Sequence, residues 1–296
     1  MTAGWRLREG DAITSELTAM RLLGGGSAYE AYLAFDEITL APVVVKIVRP
    51  DQVEDPSSLR GLDREVRALA RANHPVVVRG LRHQLDGDRP HVVLENIDGP
   101  RLSSLIRRTG RLSEQQYLPL AIDLASALHY FRHVDVCHLD IKPSNVIMGA
   151  PARLIDLSVA RPGERAARLE VPIGTDFYMA PEQCLPGDGP GARGLPGHAS
   201  DVWGLGATLF HAVAGYRPFD EGDADAADPG VRFPQLVDEP YTLPAGVPAA
   251  VAEVLHATLQ PDPADRPEPR DVADALEPVL AAQPAARLTF KVNGGR

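Results

Sequence analysis

Cysteine is scarce: Cys137 and Cys184 are the only two in 296 residues, too few for a disulfide framework and too far apart for C-x-x-C metal spacing. A reducing, cytoplasmic setting is expected. Basic residues are in the minority, 30 Lys and Arg against 40 Asp and Glu for a formal charge of −10, and no Lys/Arg run supplies the dense basic face that binding to nucleic-acid phosphates requires. A nucleic-acid partner is therefore not expected. No segment reaches the roughly 18 to 20 uncharged apolar residues of a membrane span, and residues 1–10 lack the apolar core of a signal peptide. What is present is 44% hydrophobic residues, enough for a sizeable core in one large domain or two lobes.

The texture changes along the chain. Residues 16–94 read as short strands with one helical interruption, and 42–48 is a nearly continuous β-branched run, the marks of a small, mostly antiparallel sheet. The interruption, 57–73, places Leu62, Val66 and Leu69 on one helical stripe, and Glu65 falls on it as well. A lone Glu there ordinarily sits at the edge of the stripe and reaches solvent; a buried one needs a cation. Beyond Asp98 and Gly99 the pattern turns helical, with Ser113 and Gln116 fitting a capping box. Further apolar helices are expected over 201–214, 247–259 and 271–280, with surface loops at 185–197 and 221–229.

The segment 23–31, Leu-Gly-Gly-Gly-Ser-Ala-Tyr-Glu-Ala, is a glycine-rich turn between strand-like runs. Its backbone N–H groups can approach phosphates, although a plain hairpin turn is the ordinary reading. Lys46 is the only charge inside 43–48, where an edge-strand lysine facing solvent is the ordinary reading. The decisive text is His138-Leu139-Asp140-Ile141-Lys142-Pro143-Ser144-Asn145, then Leu154-Ile155-Asp156-Leu157-Ser158, then Gly174-Thr175-Asp176-Phe177-Tyr178-Met179-Ala180-Pro181-Glu182.

In that order these motifs resemble the bacterial eukaryotic-like Ser/Thr protein kinases, over about residues 22–280. The resemblance implies an α+β, bilobal protein kinase fold: an N-lobe at 1–97 with a small antiparallel sheet and one helix, a larger, mainly helical C-lobe at 98–282, and a tail at 283–296. It implies transfer of the γ-phosphate of ATP, with Mg2+, to Ser/Thr hydroxyls of protein substrates. Asp140 would orient or accept the proton of the attacking hydroxyl, Lys142 would neutralise phosphate charge, Lys46 would pair with Glu65, and Asn145 and Asp156 would hold magnesium. Gly24 and Gly26 would approach phosphate. Leu23, Ala31, Val44 and Ile147 would wall the adenine site, with Leu94 at its back and the backbone of Glu95 and Ile97 as the hinge. Ala31 and Val44 exchange the sizes usual in the family and nearly conserve volume. Glu182 would pair with Arg266, and Asp201 would brace the catalytic loop. Thr175 with Lys142 matches the Ser/Thr-directed pattern, and the Ala-Pro-Glu string argues against small-molecule kinases.

Three departures bear on mechanism. Tyr29 stands where the third loop glycine is common and stiffens the loop. Leu157-Ser158 replaces Phe-Gly, with slower or biased switching expected because serine narrows the accessible backbone angles. Leu139 replaces the arginine that grips a phosphorylated loop residue, and 159–174 contains no Ser, Thr or Tyr. The expectation is an enzyme without an activation-loop phosphorylation switch, regulated by a protein partner, by expression or by autophosphorylation elsewhere. The acidic residues Glu221, Asp223, Asp225 and Asp228 read first as a solvated loop; on the substrate side of the fold they would favour basic substrates. The rival class is a pseudokinase scaffold, which commonly loses one of Lys46, Glu65, Asp140, Asn145 and Asp156; none is lost here.

Overall fold

The computed structural model describes residues 3–187 and 193–284, so part of the loop expected at 185–197 and nearly all of the tail at 283–296 lie outside the described residues. Five strands, β1 (Leu17–Gly25), β2 (Tyr29–Asp36), β3 (Ala41–Val48), β4 (Gly80–Gln84) and β5 (His91–Glu95), form one antiparallel sheet in the order β1-β2-β3-β5-β4. The β-branched run is thus its central strand, and the edge-strand reading of Lys46 fails. Strand periodicity divides β3 in two. Val43, Val45 and Ile47 face a core with Leu17, Tyr32 and Val93, while Val44 and Lys46 face the opposite side, in register with Leu94 and Ala31.

Helix α1 (Pro56–Arg71) crosses this second face. Asp55 caps it by accepting from the Ser58 N–H at 2.7 Å, and Pro56 occupies the first turn, where no backbone donor is needed. Leu62, Ala68 and Leu69 are buried along its stripe. Glu65 is fully buried among them, not at a solvated edge.

The helical part contains α2 (Leu102–Thr109), α3 (Glu114–His133), α6 (His198–Ala214), α8 (Ala249–Thr258) and α9 (Pro269–Ala281). Between them lie the hairpin β6 (Val146–Ile147) and β7 (Arg153–Leu154) and three single turns, α4 (Gly163–Ala166), α5 (Pro181–Cys184) and α7 (Pro229–Arg232). At the start of α3 the Gln116 side chain accepts from the Ser113 N–H at 3.0 Å. Helix α6 is buried on nearly every side, as expected of a core helix whose apolar residues are not confined to one stripe. It packs against α3 and α8, and α3 packs against α9. The two parts meet at the 76–78 segment, where Leu154 N donates to Val76 O and Val78 N to Leu154 O. Glu95 adds ion pairs to Arg79 and Arg153.

A charged clamp spans the sheet. Arg82 on β4 donates to both oxygens of the buried Asp36, at 2.7 and 2.6 Å, and holds its carboxyl well below the usual carboxylate range. Because the folded-state value is lowered, the stabilisation is complete above the ordinary aspartate value of about 4 and is lost as pH falls below it. Asp36→Asn is expected to lower the melting temperature at pH 7, with the difference from wild type shrinking below pH ~4. A difference that stays constant from neutral to acid pH would rule the clamp out.

Candidate functional site

A cleft of about 650 Å³ separates the sheet from the helical part. Leu23, Ala31 and Val44 line it from the sheet and Ile147 from β6, with Leu94 at the back and Glu95 and Ile97 along the strand exit. The Glu95 side chain turns away toward Arg79 and Arg153, leaving its backbone to the cleft. The glycine-rich segment is both a hairpin turn and a wall of this cleft. At Gly24 and Gly26 an added Cβ would meet nothing within 4 Å, whereas at Gly25 it would lie 2.4 Å from Tyr29 O. The close approach that demands glycine therefore falls on Gly25, which composition alone does not separate from its neighbours. Gly24 needs its freedom for another reason, a φ of +145°.

Lys46 Nζ lies 2.7 Å from Glu65 Oε2 and 2.7 Å from Asp156 Oδ1. Neither Glu65 oxygen has a well-directed hydrogen-bond donor among the described residues, so this contact is one of charge. Burial opposes the Lys46 ammonium, but the two carboxylates outweigh it and raise its pKa above the ordinary lysine value. Burial likewise opposes ionisation of Asp156, and Lys46 outweighs it there, so the carboxyl sits below its usual range. Ser158 Oγ also donates to Asp156 Oδ1, at 2.7 Å. Arg64, beside Glu65, donates to the Ser158 carbonyl at 3.3 Å and ties α1 to this segment.

A second cluster centres on Asp140. Lys142 Nζ donates to Asp140 Oδ2 at 2.7 Å and to Thr175 Oγ1 at 2.6 Å, and Thr175 Oγ1 donates to Asp140 Oδ1 at 2.8 Å. Asn145 Nδ2 donates to the Asp140 carbonyl and carboxylate at 2.9 and 3.1 Å. Beneath them Asp201 accepts from the N–H groups of His138 and Leu139, each at 2.7 Å. Burial pushes the Asp201 carboxyl up to about 7 against these two donors. The two donors also hold Leu139 in a left-handed conformation, φ 63°. Such a backbone is unfavourable for leucine, and it immediately precedes Asp140.

Asn145 and Asp156 both line the cleft. The Asn145 amide nitrogen is committed to Asp140, leaving its carbonyl oxygen, and Asp156 Oδ1 is committed to Lys46 and Ser158, leaving Oδ2. Two hard oxygens suit a small divalent cation such as Mg2+. Among the described residues no cluster of three His, Cys, Asp or Glu could hold a metal alone, so a cation here would complete its coordination with water or ligand oxygens.

The segment leading to the Ala-Pro-Glu string is anchored by apolar packing, hydrogen bonds and a buried ion pair. Leu139 is buried with Cys137, Ala166 and Leu169, and Val159 and Ile173 pack against them. Gln183 donates to Leu139 O and Ile173 O at 2.9 and 2.8 Å. Arg266 binds Glu182 through two hydrogen bonds, at 2.7 and 2.8 Å, with both side chains fully buried.

A protein kinase domain family model matches residues 17–277. The chain belongs to the protein kinase domain family. Its relatives include the serine/threonine-protein kinases PknA and PknB of Mycobacterium tuberculosis (strain ATCC 25618 / H37Rv), each 29% identical to it, over 88% and 83% of this chain. The chain spans 60% of PknA and 40% of PknB. In this kinase domain, Val78, Ile155, Arg101 and Ser144 also line the cleft. Val78 and Arg101 carry no local signal, while Ser144 and Ile155 stand inside the His138–Asn145 and Leu154–Ser158 motifs, beside Asn145 and Asp156. Nor was the Tyr29 contact with α1 anticipated, although a glycine inside that helix, Gly61, is a visible irregularity.

The apolar cluster around Leu139 generates a test. Leu139→Arg is expected to lower stability by roughly 3 kcal/mol or more, because it places a cation without a partner among apolar side chains. Thermal and urea unfolding measure it, and an unchanged midpoint would refute the packing role.

Proposed function

We propose that this chain is an ATP- and Mg2+-dependent serine/threonine protein kinase acting in the cytoplasm. One observation carries the reading: Lys46 in contact with Glu65 and Asp156 at 2.7 Å each, in a cleft that Lys142 and Asn145 also line, with Asp140 and Thr175 hydrogen-bonded to Lys142. Phosphoryl transfer asks the protein mainly for position and charge, and both clusters supply them. The membership in the kinase domain family and the similarity to PknA and PknB support the same conclusion.

In this reading the apolar walls Leu23, Ala31, Val44 and Ile147 bind the adenine of ATP, with Leu94 behind it and the backbone of Glu95 and Ile97 along its edge. The N–H groups of the 24–26 turn and Lys46 receive phosphate oxygens, and Glu65 keeps the Lys46 ammonium in place. Asn145 and Asp156 hold Mg2+, which when bound neutralises phosphate charge. Asp140 orients the substrate hydroxyl and takes its proton as the new O–P bond forms. Lys142 offsets the charge that develops on the transferred group. Thr175 bridges Asp140 and Lys142 and so keeps both carboxylate and ammonium aimed. A Thr175 engaged in this way is not a phosphorylation switch.

The loop is ordered by apolar packing in place of a phosphate–arginine contact. The Leu139 cluster supports this, together with the absence of Ser, Thr and Tyr from 159–174. Substrates are proteins bearing Ser or Thr, and the exposed acidic residues Glu221, Asp223 and Asp225 favour basic ones. A regulatory protein partner completes the proposal. The N-lobe at 1–97 and the C-lobe at 98–282 are its working units.

Transfer of radiolabelled γ-phosphate from ATP with Mg2+ to a basic protein substrate tests the assignment. Asp140→Asn and Lys46→Met are each expected to lower it by roughly 10²- to 10⁴-fold, while phosphatase pretreatment of the wild type leaves its rate unchanged. No transfer by the wild type would refute the activity. A rate that falls on phosphatase treatment, with the lost phosphate mapped to residues 156–178, would refute the phosphate-independent loop.

A further inference from the structure

The glycine-rich turn and helix α1 are joined by a contact that the catalytic reading does not use. Tyr29 opens β2 at the end of the turn, paired with Val48 of β3. Its ring reaches inward over Lys46, with Nζ 4.8 Å from the ring centroid. Beyond the lysine, Tyr29 Oη donates to the carbonyl of Ser58, in the first turn of α1, at 2.6 Å. The seat is shaped for it: a Cβ at Gly61 would lie 2.1 Å from Tyr29 Oη. A glycine inside a helix costs about 1 kcal/mol relative to alanine, so the glycine's advantage here is the space it leaves.

Both ends of the contact are fixed. Ser58 is buried, and its hydroxyl donates to Asp55 and its N–H to the same carboxylate, so the acceptor sits on an anchored helix end. On the other side, Arg49 donates to Gly26 O at 2.7 Å and to Ala3 O, and Arg49 N donates to Ala28 O. Burial raises the Tyr29 phenol above its ordinary value, so it remains a donor at neutral pH. Two turns along the helix from Ser58, Glu65 meets Lys46. Outward movement of α1 would have to break the Tyr29 bond and expose the lysine under the ring.

We propose that Tyr29 is a positioning residue: seated against Gly61 and bonded to Ser58, it straps the glycine-rich turn to α1 and keeps Glu65 against Lys46. This deepens the proposed kinase function and rests on its assignment of the Lys46–Glu65 pair. The strap acts from inside the N-terminal sheet, so the helix is held in place without a signal from the 159–174 segment. The ring also shields the ion pair from water, which strengthens it.

The test pairs hydrogen exchange of the 56–71 segment with phosphate transfer, on the full chain, for Tyr29→Phe, Tyr29→Gly, Gly61→Ala and the double variant Tyr29→Gly/Gly61→Ala. Loss of one buried hydrogen bond corresponds to roughly a 3- to 10-fold change, so Tyr29→Phe is expected to speed α1 exchange and lower kcat by about that factor. Gly61→Ala improves helix propensity yet evicts the hydroxyl; it is expected to act in the same direction as Tyr29→Phe, with no loss of melting temperature. In the Tyr29→Gly background the same alanine is expected to slow exchange, because only its propensity remains. A Gly61→Ala effect of equal size and sign in both backgrounds would overturn the strap, as would unchanged α1 exchange in Tyr29→Phe. Exchange reads the strap even if the wild type transfers no phosphate, so failure of the kinase reading and failure of the strap are separately visible.

Discussion

The arrangement depends on a buried cation held between two carboxylates. Lys46 leaves water on the central strand of the sheet, Glu65 leaves it on the apolar stripe of α1, and Asp156 arrives from the loop after β7. Lys46 or Glu65 alone would be strongly disfavoured in that place, and removing one leaves the other uncompensated. The sheet, the helix and the helical part of the molecule are therefore coupled through one ammonium group. The cleft above it exists because the three elements are held at that separation.

Around this centre the protein uses packing where charge would also serve. Leu139 occupies a buried apolar cluster, in a strained backbone conformation held by the two hydrogen bonds that its own N–H and that of His138 make to Asp201. The segment leading to the Ala-Pro-Glu string is thus held by van der Waals contact, by Gln183 and by the Glu182–Arg266 pair. Apolar burial is nearly insensitive to salt.

Much of the fold is legible along the chain, because strands and amphipathic helices write their periods locally. The run at 42–48, the helix carrying Leu62 and Leu69, the capping box at Ser113 and the apolar helix after 198 all appear where their patterns fall. Helix ends are less legible: α6 begins at His198, ahead of the apolar run, because Ser200 and Gly197 supply a cap that hydrophobicity does not register. The ordinary readings of Lys46 and Glu65 fail for a related reason. Whether a charge on an apolar stripe reaches water depends on what lies opposite, 19 residues away for this pair and 110 for Lys46 and Asp156.

By itself the sequence determined the residue types and their order, and so the family, because Asp140, Lys142, Asn145, Asp156 and the Ala-Pro-Glu string stand at short, fixed spacings. It also determined what is missing, the phosphate-accepting hydroxyls of 159–174 and the arginine at 139. Tertiary structure alone decided that Glu65 is buried against Lys46, that Leu139 joins an apolar cluster, that close approach requires glycine at Gly25 and backbone angle requires it at Gly24, and that Tyr29 reaches Ser58 over a gap left by Gly61. These are contacts between residues distant in the chain. Their free energy depends on distance, direction and exclusion of water, which only the folded packing sets.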